Sequence, residues 1–170
     1  MKKRLLAILM GSALIASSGM ARAVDDLEFE AELSGAQEVT DPAGGVDSDG
    51  EGKVKADFDG GLTEVKVRLS VEDLMGGFTR AHFHCGIAGQ NGPIAFGLVD
   101  PGPCSFDGGR IRCTLTNSDV TPNDCETSIG RPVNNIAALA FAMRDGLIYL
   151  NVHTTDFAGG ELRGQMLPDD

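Results

Sequence analysis

The 170 residues contain three imidazoles, His82, His84 and His153. Two of them fall within Arg80-Ala81-His82-Phe83-His84. On a β-strand, residues two apart project from the same face, which sets these two rings on one side with their Cα atoms about 6–7 Å apart. The third lies in Tyr149-Leu150-Asn151-Val152-His153-Thr154. Here Ile148, Leu150 and Val152 form an apolar face, and Tyr149, Asn151 and His153 form the other. In the first segment Ala81 and Phe83 are the apolar face, so all three histidines stand on the non-core side of their strands. If the two strands are neighbours, the rings converge on the outer surface of a sheet. Three imidazoles suit Cu(II), and less exclusively Zn(II) or Ni(II). Copper is therefore the expected cofactor, with His82, His84 and His153 as its ligands. The competing reading is that a His-x-His pair arises on a wet strand face by chance and each ring bonds only a neighbour.

Other candidate chemistry is weaker. Asp47-Ser48-Asp49-Gly50-Glu51-Gly52 is acidic but lacks the full ligand series of a calcium loop, so a solvated turn is expected there. In Gly159-Gly160-Glu161-Leu162-Arg163, the glycines point to a bulge or a close backbone approach. Glu161 and Arg163 share a strand face, where an ion pair between them is expected. No serine–histidine–acid or cysteine–histidine arrangement stands out, and no catalytic residue is assigned.

The elements that must position the histidines are strands. Leu27, Phe29, Ala31 and Leu33 alternate with polar residues, as do Val54, Ala56 and Phe58, and Val65, Val67, Leu69 and Val71. Period-two alternation marks strands with one buried and one wet face. Gly60-Gly61 between the second and third predicts a tight hairpin. Further strands are expected at 78–84, 94–99, 110–116, 147–154 and 161–167. Residues 136–144 are rich in helix formers, follow Asn135 as a cap and precede Gly146, which predicts one short helix. About eight strands with one helix give an all-β, antiparallel Greek-key sandwich or barrel of immunoglobulin or superoxide-dismutase shape. No linker or internal repeat divides it.

The chain begins with a basic stretch, Met1-Lys2-Lys3-Arg4, then an apolar run over 5–16 and the small-x-small sequence Ala21-Arg22-Ala23. This is the pattern of a cleavable signal peptide spanning 1–23, leaving 24–170 as a single mature domain in the periplasm or secreted. The apolar run is shorter than the ~20 residues that span a bilayer. The removed segment carries four basic residues, so a chain of net charge −11 becomes one of about −15. Such a charge disfavours nucleic acid and anionic membranes as partners. Four cysteines, Cys85, Cys104, Cys113 and Cys125, imply two disulfides in an oxidising compartment. Of three connectivities, a Gly108-Gly109 hairpin turn favours Cys104–Cys113 with Cys85–Cys125, because it sets Cys104 opposite Cys113.

Several of these segments together resemble the CHRD domain, a module named from chordin and found singly in bacterial exported proteins. They are Phe29-Glu-Ala-Glu-Leu-Ser-Gly-Ala-Gln-Glu38, Ala81-His-Phe-His-Cys-Gly86 with Gly92-Pro93-Ile94, Tyr149-Leu-Asn-Val-His-Thr154, and Gly160-Glu-Leu-Arg-Gly-Gln165. The growth-factor binding of chordin does not carry over, since other repeats of that protein are credited with it. A more partial resemblance is to copper–zinc superoxide dismutase, which also has a His-x-His strand and a later Val-His strand. His82, His84 and His153 match copper ligands there, whereas the zinc ligands have no counterpart, because no histidine lies between His84 and His153. The expected function is thus exported copper binding, storage or delivery. The alternatives are a protein-interaction module without metal, whose partner is another exported protein, and a copper-only oxidoreductase acting on superoxide.

Overall fold

A computed structural model describes residues 27–169; the basic and apolar leader lies outside the described residues. Ten strands form one antiparallel sheet: β1 (Glu28–Ser34), β2 (Glu51–Phe58), β3 (Glu64–Glu72), β4 (Phe78–Cys85), β5 (Ile94–Val99), β6 (Phe106–Asp107), β7 (Arg110–Thr116), β8 (Ile148–Thr154), β9 (Leu162–Gln165) and β10 (Leu167–Pro168). Their order across the sheet is β5-β4-β8-β9-β1-β2-β3-β7-β6, with β10 also pairing β1. The sheet curls into a nearly closed barrel, the barrel form of the all-β architecture anticipated above. Across its seam the rings of Phe78 and Phe106 stack at 3.8 Å, and Phe96 bridges to Val120.

Alternation dictates the interior. Along β3 every second residue is buried, with Val65, Val67, Leu69 and Val71 turned inward and Lys66, Arg68 and Ser70 turned out. Phe29, Leu33, Val54, Ala56, Phe83, Leu150 and Val152 join them in one continuous core. Burying each such large side chain contributes about 1.5–3 kcal/mol. Two short helices close one end of the barrel. α2 (Ile136–Arg144) starts where the Asn135 side chain accepts the Ala138 N–H and faces the core with Leu139 and Met143. α1 (Cys125–Ile129) is a five-residue helix that alternation could not reveal, ended by Gly130 in the left-handed region at φ 74°.

The β2–β3 hairpin is looser than a two-residue Gly60-Gly61 turn. Its register pairs Phe58 with Val65, and the Asp59 N–H donates to the Glu64 carbonyl, leaving residues 60–63 in the turn. The Asp59 carboxylate decides this by accepting the N–H groups of Gly61, Thr63 and Glu64. The β6–β7 hairpin does turn at Gly108-Gly109, with Asp107 opposite Arg110 and Phe106 opposite Ile111. Extending that register brings Cys104 to Cys113, which are bonded, as are Cys85 and Cys125.

Candidate metal centre

Strands β4 and β8 are adjacent, and their register sets Arg80 opposite His153, His82 opposite Asn151 and His84 opposite Tyr149. On the far side of β8, Asn151 faces Arg163 and Tyr149 faces Gln165 of β9. A polar layer therefore covers the outer face of three neighbouring strands. It is not wet, as an outward face would lead one to expect. Connections 86–93, 100–105 and 155–161 fold over it, and His82 and His153 are only 2% and 7% exposed.

The three imidazoles meet in this layer. Ring centroids lie 5.6 Å apart for His82 and His84, 5.2 Å for His82 and His153, and 6.4 Å for His84 and His153. Each ring has one nitrogen on a backbone carbonyl from a different covering loop. His82 Nε2 is 3.0 Å from the Asp100 oxygen, His84 Nδ1 is 2.9 Å from the Gly92 oxygen, and His153 Nδ1 is 3.1 Å from the Ala158 oxygen. A carbonyl only accepts, so each of these nitrogens carries the proton. In a neutral imidazole the other nitrogen is then a bare lone pair. Those are His82 Nδ1, His84 Nε2 and His153 Nε2, and all three are buried without a hydrogen-bond partner. One nitrogen from each ring falls within a group spanning no more than 4.8 Å. Around an ion with bonds of about 2.0 Å three such donors would stand roughly 3.5 Å apart, inside that span.

The electrostatics match that protonation pattern. Burial holds His84 and His153 down at about 4 and pushes His82 down as well, against the opposing pull of their carbonyl partners. The rings are therefore neutral and donor-ready at ordinary pH. Leaving three buried acceptors unpaired costs about 1–3 kcal/mol each, a large fraction of the ~5–15 kcal/mol that keeps a domain folded. A cation among them would recover that loss.

A second layer locks the first. The Tyr149 ring stacks on His84 at 5.0 Å and 10°. Its hydroxyl accepts the Gly92 N–H, and the carbonyl of the same glycine holds His84. On Tyr149 lies the Arg163 guanidinium, 3.4 Å from the ring centroid, donating to the carbonyls of Ile87 and Gln90 and to Asn91. The charge of Arg163 is met by Glu38, which accepts from Asn151; burial nonetheless pushes Glu38 up to about 7. The expected Glu161–Arg163 ion pair does not form. Glu161 is fully buried and instead accepts from Ser48, Thr154 and the Met75 N–H, because the loops at 48 and 75 pack over its end of β9. Gly160, at φ 132°, passes so near Asn151 and Glu38 that a Cβ would stand 2.6–2.8 Å from their side chains, which is the close approach its motif implied.

Sequence reasoning found the three rings but missed Tyr149, Arg163, Glu38 and the three carbonyls. The available signal was that Tyr149 and Asn151 share the face of His153. The carbonyls leave no trace in side-chain pattern.

The segments that build this centre, 81–86, 92–94, 149–154 and 160–165, are far apart in the chain and converge on one side of the barrel. No curated protein matches the chain. A family model does: the CHRD domain matches residues 29–166, a span holding every residue of the centre and of its supporting layer. On that match, the chain belongs to the CHRD domain family.

Proposed function

We propose that this protein is an exported metal-binding protein whose centre, formed by His82, His84 and His153, holds a copper ion for storage or delivery. One observation supports it above the rest: each of the three rings that gather in one group has a nitrogen without a partner, bared by a hydrogen bond on the opposite nitrogen. Metal-ligating histidines almost always donate their second N–H to a carbonyl or carboxylate in this way. Chance histidines on a strand face would have no reason to share that polarity. Imidazole donors suit copper. The two disulfides suit an oxidising compartment, and the leader sequence would deliver the chain there.

The test is copper titration of the purified mature chain, with metal analysis of protein drawn from its native compartment. One ion per chain is expected. His82→Ala and His153→Ala should each weaken binding by ~100-fold or more, beyond the 10–100-fold typical of losing an outer-shell partner. Variants that bind as well as the parent would refute the centre. Tyr149 is the sole tyrosine in a chain without tryptophan, so its fluorescence reports on the ring against which it lies. Copper should change that emission in the parent and leave it unchanged in His84→Ala.

A further inference from the structure

We infer that the centre is built for univalent copper, Cu(I), in preference to Cu(II) or Zn(II). This rests on the three-histidine reading and goes beyond it, since imidazole by itself accepts all three ions.

Charge favours the univalent ion. The donors are three neutral imidazoles, and among the described residues no carboxylate or thiolate joins them within ligating distance. Nothing in the first layer offsets the charge of the ion. The next layer offers little more. Arg80 lies on the same strand face as His82, and its Nη2 donates at 3.0 Å to the Ala158 carbonyl that also holds His153. Arg163 covers Tyr149 behind His84. Against these two cations stand the exposed Asp100 beside His82 and Glu38 beside Arg163, the latter only partly ionised at neutral pH, so the surroundings supply no net negative charge to offset the ion. The cost of burying an ion grows as the square of its charge, so a divalent ion here meets about four times the penalty of a univalent one.

Coordination number favours it as well. Each ring offers one nitrogen, and its other nitrogen is committed to a loop carbonyl. Zn(II) takes four donors, and Cu(II) prefers a tetragonal set. Either would have to recruit water or an anion into a layer already covered by three loops. A filled-shell univalent ion is content with three nitrogens.

The experiment is a competition on the intact mature protein. Cu(I) is supplied anaerobically as its bicinchoninate complex, and the loaded protein is challenged with Zn(II). One equivalent of Cu(I) should transfer, and a tenfold excess of Zn(II) should leave it in place, which corresponds to a preference of at least about tenfold. Cu(II) added in air to the apoprotein should be stripped by a chelator that leaves the Cu(I) form loaded. Displacement of Cu(I) by one equivalent of Zn(II), or tighter retention of Cu(II), would overturn the inference while leaving the three-histidine centre intact. Failure of all three ions to bind would overturn both. In His153→Glu, an anionic donor enters the set, and the Zn(II)-to-Cu(I) affinity ratio should rise by about tenfold or more. An unchanged ratio in the folded variant would refute the charge argument. If that variant does not fold, the competition on the parent protein decides alone.

Discussion

Each ring of the centre has a nitrogen whose proton is accounted for and another whose lone pair is not, and this makes the site sensitive to acid. In the unfolded chain a histidine takes up its proton near 6.5, whereas burial holds His84 and His153 at about 4 in the folded protein. Below 6.5 the unfolded state binds more protons, so stability falls as pH drops from about 6.5 towards 4 and is fully present above that window. Each ring contributes about 3 kcal/mol of this loss. Chemical denaturation of apoprotein at a series of pH values should show the decline, and His84→Gln with His153→Gln should remove most of it. Glu38 runs the opposite way. Its carboxyl, ordinarily near 4.5, is raised to about 7 by burial against the countervailing charge of Arg163. It favours the fold below 4.5, and that contribution is lost as pH rises through 7. Glu38→Gln keeps the acceptor for Asn151 and removes this opposing slope, so the rise of stability with pH between about 5 and 6.5 should be steeper than in the parent.

At the level of elements, the centre depends on loop 86–93 as much as on the strands. That loop supplies the carbonyl for His84, and it is tied to the barrel by three donations from Arg163, which is 2% exposed. Replacing Arg163 by methionine removes those donors and leaves the Ile87 and Gln90 carbonyls and the buried Glu38 without their partner. The expected cost is about 3–5 kcal/mol in denaturant unfolding, with weaker copper binding besides. The loop also needs glycine at position 92. A Cβ there would sit 1.7 Å from the Cys85 carbonyl oxygen, so Gly92→Ala must displace the backbone that bonds both His84 and Tyr149. Copper affinity should fall in this variant although all three histidines are present. Unchanged affinity would mean that the loop carbonyl does not orient the ring.

For the molecule as a whole, the two disulfides carry different loads. Cys85–Cys125 closes a separation of 40 residues and follows His84 directly on β4, whereas Cys104–Cys113 closes 9 residues on a hairpin. Loop-closure entropy gives about 4 kcal/mol for the first and about 3 kcal/mol for the second. Thermal unfolding of the paired alanine variants should rank them in that order. Only loss of Cys85–Cys125 should also weaken copper binding, since it anchors the end of the strand that carries His82 and His84. Equal copper affinity in both variants would show the centre to be indifferent to that anchor.

The amino-acid sequence by itself determined the strands and their inward faces, because alternation of apolar residues is a local property that burial enforces residue by residue. It also determined which side of β4 and β8 the histidines occupy, since that follows from the same alternation. The helix over Ile136–Arg144 was legible from Asn135 and Gly146. The short α1 and the four-residue turn at Gly60 were not, because a single turn of helix and the bonds of the Asp59 carboxylate leave no periodic trace. Only the tertiary structure decided that β4 lies beside β8, residues nearly 70 apart in the chain, and that three loops return to bury the face they share. That burial matters most, for a histidine in water keeps its ordinary proton and its hydration. Covered by loops and fixed by their carbonyls, the same ring becomes a neutral donor with an unpartnered lone pair in a cluster of three.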